Sequence, residues 1–201
     1  MGKGENFERE TCKELSLWWT HKSDDSVFWR TSQSGGRRTQ RQKGGKKTPY
    51  SAGDVGLLHP KGRQFLDFFV VELKRGYSKT IDVLSFVDWK FKKNGPILQQ
   101  WFEKSEEEKR EVGRREVLVI FKRDRHMKCV MISKNLGAKI KKLTKSPIPK
   151  PFMSININHQ NFYVLRYNLF FQWMSPETVK TMWAETINVK RSSHRRNRRK
   201  L

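Results

Sequence analysis

Glu72 and Lys74 stand two residues apart at the end of an apolar run, Phe65 to Leu73, in the stretch FLDFFVVELK. In an extended strand successive side chains leave opposite faces. Glu72 and Lys74 therefore share a face with Phe68 and Val70, while Phe69, Val71 and Leu73 share the other. A lone Glu-x-Lys is common on solvated strands, but here the charges continue an apolar row. Upstream, Asp54 opens a second run, Asp54 to Leu58, and His59-Pro60-Lys61-Gly62 reads as turn material. An antiparallel hairpin between the two runs is expected to bring Asp54 beside Glu72 and Lys74. Carboxylates suit hard divalent cations such as magnesium, which prefer oxygen ligands. Phosphodiester hydrolysis needs a cation of this kind, a water made nucleophilic, and groups that hold both in line.

The rest of the chain must position these residues. From Gly4 to Trp19 the pattern is helical, with Glu8, Cys12, Leu15 and Trp19 on one stripe, so a carboxylate shares the buried face. Ser26 to Thr31 reads as a short strand. Ser34 to Ser51 is Gly-rich, strongly basic and free of acids, which predicts a basic loop inserted at 35–51. Leu98, Trp101, Phe102 and Ser105 mark a helix face within Pro96 to Val112, and Glu106 to Glu108 are read as its solvated side. Glu116 to Phe121 and Lys128 to Ser133 are predicted strands. Lys139 to Pro151 reads as a basic, proline-containing linker, followed by a strand from Phe152 to Ile157 and the aromatic run Phe162 to Met174. Ser175-Pro176-Glu177 has the form of a helix start. The last twelve residues, KRSSHRRNRRKL, are expected to be disordered alone.

Composition bounds the partner. The chain has 201 residues, enough for one domain, with 43 Lys and Arg against 20 Asp and Glu, a formal charge of +23. Such self-repulsion points to an anionic partner, with nucleic acid first. Neither a membrane-spanning apolar run nor a signal-peptide pattern is visible, so a soluble, cytoplasmic protein is expected. Cys12 and Cys129 fit no zinc spacing and are expected to be reduced and structural.

The order Gly53-Asp54, a turn, then Glu72-Leu73-Lys74 closing a hydrophobic strand resembles the core of the PD-(D/E)xK nucleases, with Gly53 in place of the name-giving proline. The resemblance implies an α/β, restriction-endonuclease-like fold, a central mixed β-sheet flanked by helices. It also implies that Asp54 and Glu72 hold Mg2+, with Mn2+ able to substitute, and that Lys74 orients or activates the attacking water. Upstream, Lys3-Gly4-Glu5-Asn6-Phe7-Glu8-Arg9-Glu10 is similar to the first helix of archaeal-type Holliday junction resolvases, which makes Glu8 a further catalytic and metal-binding carboxylate. Arg30, Ser32 and Ser34 resemble an Arg-and-Ser segment of that family, here followed by the basic insertion. On this reading Arg30, Ser32, Ser34, Arg37, Arg38, Arg41, Lys43, Lys46, Lys47 and Arg75 contact DNA. Gln99 and Gln100 resemble a glutamine that some members place beside the site, with a solvated amide pair as the other reading.

The expected organisation is a nuclease core over 1–134, a C-terminal extension over 135–189 packed on it, and a basic tail at 190–201. The expected function is metal-dependent cleavage of branched or duplex DNA by a homodimer, which suits a two-fold substrate. A restriction-type or DNA-end-processing nuclease and a non-enzymatic basic binding protein are the competing readings.

Overall fold

A computed structural model describes residues 2–31, 52–76, 96–151, 153–157 and 160–198. Helix α1 (Lys3–Trp19) buries Cys12, Leu15 and Trp19 of the stripe read from the sequence, together with Phe7, while Glu8 is half-buried. Strands β1 (Phe28–Arg30) and β2 (Val55–Leu57) pair antiparallel, with Trp29 opposite Gly56. A 3₁₀ turn (Pro60–Gly62) and a short helix α2 (Arg63–Phe68) lead into β3 (Phe69–Arg75). Then come α3 (Ile97–Val112), β4 (Glu116–Lys122), β5 (Lys128–Ser133) and α4 (Lys134–Thr144). Strands β6 (Met153–Ile157) and β7 (Gln160–Arg166) and helices α5 (Tyr167–Trp173) and α6 (Pro176–Arg198) complete the described chain.

Five of these strands form one sheet in the order β3-β4-β5-β7-β6. Only β3 and β4 run parallel; the other neighbours are antiparallel. A parallel pair needs a crossover, and α3 lies on the chain between them. The alternation read from the sequence divides two cores. Phe69, Val71 and Leu73 face a cluster with α1, α2, α4, α5 and α6, while Val70 faces Leu98, Trp101 and Phe102 of α3. The mixed sheet flanked by helices on both faces is the expected fold class, and β6 and β7 of the C-terminal segment extend that same sheet.

Three local expectations are corrected. Asp54 to Leu58 does not pair with the Phe65 run as a hairpin, because Arg63 to Phe68 is helical and β2 takes β1 as its partner. A continuous apolar run does not distinguish helix from strand by period. Here Phe65 and Phe69 stack four residues apart, with ring centroids separated by 5.1 Å, and Asp67 pairs with Arg63 one turn back. Much of the expected linker is helix α4, whose Leu136 and Ile140 enter the core one turn apart; Ser133 caps it by accepting from the Leu136 N–H. The basic tail is helical as far as Arg198, although its composition pointed to disorder. The expected cap of α6 is present, with Ser175 Oγ accepting from the Thr178 N–H.

Gly62 shows how closely the turn before α2 packs. A Cβ there would lie 2.4 Å from Phe28 Cε1 and 2.6 Å from Val27 Cγ1, both in the buried core. Gly62→Ala is expected to destabilise the protein by about 1–3 kcal/mol through overpacking, read as a lower urea midpoint at unchanged slope. An unchanged midpoint would mean that β1 yields freely.

Candidate active site

Strand β3 presents Glu72 and Lys74 on the α3 side of the sheet, at its C-terminal end. Asp54 reaches them from the segment before β2, which is fastened onto β3. The Asp54 N–H donates to the Val71 carbonyl at 2.8 Å, and Asp54 Oδ2 accepts from the Leu73 N–H at 2.8 Å. Lys74 Nζ then lies 2.5 Å from Glu72 Oε1 and 3.5 Å from Asp54 Oδ2. The two carboxylates and the ammonium converge as expected, although no hairpin brings them together.

Burial sharpens the electrostatics. The Glu72 side chain is 2% exposed, and desolvation, then the Asp54 charge, raises its pKa above the ordinary glutamate value against the pull of Lys74. Glu8 is raised likewise, by burial first and Asp54 second. It accepts from Arg30 Nε at 3.0 Å, while Arg30 Nη1 donates to Glu5 at 2.9 Å. Glu10 faces elsewhere, toward Lys128. The same surroundings push the Cys12 thiol up to about 12, burial being the main cause. Cys12 and Cys129 are both unpaired.

Among the described residues no group of three or more His, Cys, Asp or Glu side chains converges at metal-binding spacing. What converges is the pair Asp54 and Glu72. Glu72 Oε1 is buried and makes no directed hydrogen bond, its near neighbours being ammonium groups. Two carboxylates held against their own repulsion, one of them almost wholly buried, fit a hard divalent cation that keeps several waters of its own.

The motif is held mainly by residues other than those expected to do chemistry. Gly53 has φ +74°, and a Cβ on it would come within 2.5 Å of the Val71 carbonyl oxygen. Proline, whose ring fixes φ near −65°, cannot occupy that conformation. This accounts for the glycine in the motif. The Gly53 N–H donates to Glu108 Oε2 of α3 at 2.8 Å, and its carbonyl accepts from Thr31 Oγ1 at 3.0 Å. Arg114 Nη1 donates to the carbonyls of Ala52 and Phe69. Glu108 corrects the reading of Glu106 to Glu108 as one solvated face. It is buried, three residues beyond Ser105 on the apolar stripe, and that spacing was the available signal. Lys104, also on α3, places Nζ 3.9 Å from Glu72 Oε1.

Other expected contacts lie apart from this centre. Arg75 pairs with Asp124 on the β4–β5 turn, which also holds Lys3. Gln99 is buried and donates from Nε2 to Glu103 at 2.7 Å, with Oε1 unpartnered; Gln100 is exposed on the same helix. Gln99 lines a cavity of about 380 Å³ with Phe102, Glu103, Arg110 and Phe162, which does not include Asp54 or Glu72. Ser32, Ser34, Arg37, Arg38, Arg41, Lys43, Lys46 and Lys47 fall outside the described residues.

A helix-flanked mixed sheet with Asp54, Glu72 and Lys74 gathered at the end of one strand is the architecture of a restriction-endonuclease-like protein. Residues 1–182 match the family described as phage putative PDDEXK endonuclease, and the chain belongs to that family. It is therefore a nuclease of the PD-(D/E)xK superfamily; the match does not extend to the archaeal junction-resolvase subtype. No curated protein and no solved structure matches the chain. No described helix is long and apolar enough to cross a membrane.

The clamp on Gly53 can be tested apart from activity. Gly53→Ala should cost about 1–2 kcal/mol for the left-handed backbone alone, with the clash at Val71 adding to it. Glu108→Ala, which leaves the Gly53 N–H without its acceptor, should cost about 1–3 kcal/mol. Made together, the two should cost less than their sum in a denaturation series, because they break one clamp. Strict additivity would mean that Glu108 stabilises α3 by another route.

Proposed function

We propose that this chain is a divalent-cation-dependent DNA endonuclease whose active site comprises Glu8, Asp54, Glu72 and Lys74. The observation that carries the reading is the convergence of Lys74 Nζ on Glu72 Oε1 and Asp54 Oδ2, at 2.5 and 3.5 Å, in a chain of this nuclease family. Asp54 and Glu72 would hold the cation, with Glu8 as an outer carboxylate coupled to Asp54 by charge. All-oxygen ligands favour magnesium, and manganese tolerates the same set. When bound, the cation would neutralise charge on the phosphate and polarise a water.

The protein's own groups account for the rest. Lys74, flanked by carboxylates, is placed to orient the attacking water. Hydrolysis forms a bond from the water oxygen to phosphorus and breaks one P–O ester bond. The proton lost by the water goes to solvent or a basic group, and the departing alkoxide takes up a proton. Arg30, paired with Glu5 and Glu8, serves as a positioning residue for Glu8. The net charge of +23 supplies attraction for DNA, with Arg37 to Lys47 as a phosphate-binding arm. The Glu8 segment resembles the first helix of junction resolvases, and on that basis the preferred substrate is branched DNA, cut by a homodimer.

Incubating the protein with labelled four-way junction, flap, duplex and single-stranded DNA, with and without magnesium, tests the reading. Cleavage should require the cation and favour the junction; cutting duplex at a fixed sequence would instead indicate a restriction-type enzyme. Asp54→Asn and Glu72→Gln should each abolish cleavage while keeping DNA binding at least as tight, since each removes a negative charge facing phosphate. Wild-type cutting by either would sink the assignment.

The raised pKa values add a pH test. A carboxylate holds a cation only when ionised, and Glu72 and Glu8 both ionise above the ordinary glutamate range. Protons therefore compete with the cation as pH falls. Apparent cation affinity, measured by titration calorimetry, should weaken on acidification with a midpoint above that of an ordinary glutamate. A midpoint within the ordinary range would argue that the cation binds elsewhere.

A further inference from the structure

Lys104 has no role in the reading above. It lies one turn before Glu108 on α3, so one side of this helix offers a buried anion to the Gly53 N–H and a cation to Glu72. The two lysines near Glu72 differ. Lys74 is 20% exposed and wedged between two carboxylates, whereas Lys104 is 63% exposed and 3.9 Å from Glu72 Oε1. At that separation and exposure its attraction to Glu72 is weak. The ammonium group is left in contact with solvent at the rim of the site.

The charge balance shows what such a group could do. Without a metal, the two ammonium groups balance Asp54 and Glu72, Glu8 being paired with Arg30. On the reading above, a divalent cation would balance the same two carboxylates and leave both lysines in excess. That excess matches the negative charge that gathers on a phosphate during hydrolysis. Nor is Lys104 one more residue of an evenly basic surface. Glu103, Glu107 and Glu111 are exposed on the same helix, with Arg110 as the other exposed cation, and Glu106 pairs with Lys109. Acids outnumber bases on this helix, so it offers an extended DNA backbone little attraction of its own. A cation among these acids, facing Glu72, is suited to meeting a single phosphate.

We propose that Lys104 is a second active-site lysine, donating a hydrogen bond to a non-bridging oxygen of the phosphate that is cut. The proposal rests on the assignment of Glu72 to the catalytic centre.

The test uses the full chain and a DNA substrate whose cut position has first been mapped with the wild type. Single-turnover rates at saturating DNA are compared for wild type, Lys104→Ala, Lys104→Met, Glu72→Gln and Lys180→Ala, the last removing one lysine charge from α6. Removing a donor to the reacting phosphate should slow both Lys104 variants by about tenfold to a hundredfold, with unchanged melting temperatures and a wild-type rate for Lys180→Ala. Binding is then measured with calcium in place of magnesium, a divalent ion for the same oxygen ligands, under conditions where no cutting is detected, on DNA carrying a neutral methylphosphonate at the cut position. Wild type should bind it more weakly than normal DNA, and the Lys104 variants should lose most of that difference. Lys104 variants that cut at the wild-type rate, or that keep the full methylphosphonate penalty, would overturn the proposal while an inactive Glu72→Gln leaves the site assignment standing. Wild-type cutting by Glu72→Gln would instead remove the site assignment on which the proposal rests.

Discussion

The site depends on a short stretch of backbone, residues 52–54, fastened against β3. No ladder of strand pairing holds it. Individual bonds do, from Arg114 to Ala52, from Gly53 to Glu108, from Thr31 to Gly53, from Asp54 to Val71 and from Leu73 to Asp54. Each satisfies a backbone or carboxylate group that would otherwise be buried without a partner, at a cost of about 1–3 kcal/mol. The stretch can approach β3 this closely because Gly53 has no side chain to collide with Val71. Without that approach Asp54 would not share Lys74 with Glu72.

The two-faced sheet explains how charges come to lie at the end of an apolar row. Val70 and its neighbours bury one face of β3 under α3, and Phe69, Val71 and Leu73 bury the other under the remaining helices. A strand covered on both faces has little water to offer Glu72, which is why its ionisation is displaced upward. Burial that is costly for two neighbouring carboxylates would favour a cation beside them.

Much of this was legible in the sequence. Period-two alternation located Glu72 and Lys74 on one face, and helical phase set Glu8 apart from Glu10, as their partners Arg30 and Lys128 now show. The misreadings have local causes. Phe65 to Leu73 is apolar almost throughout, so its first part does not declare itself as helix by period, and the hairpin expectation follows from reading all of it as strand. Leu136, Ile140 and Leu143 stand among lysines, too sparse a stripe to announce α4. Glu108 was grouped with its acidic neighbours, although spacing from Ser105 put it on the buried stripe. Fastening the motif depends on tertiary partners as distant in sequence as Arg114 and Ala52, and no local pattern encodes such a pairing.

Helix α3 touches both halves of the carboxylate pair from one rigid rod: Glu108 grips the residue before Asp54, and Lys104 faces Glu72 a single turn away. When a helix of this length rocks against a sheet, its successive turns move together. Both carboxylates, however, are fixed to β3, Glu72 as a residue of the strand and Asp54 through its bonds to Val71 and Leu73, so the gap between them changes far less than the helix moves. The arrangement behaves like a caliper whose jaws share one spine, holding its setting even while the instrument is shaken.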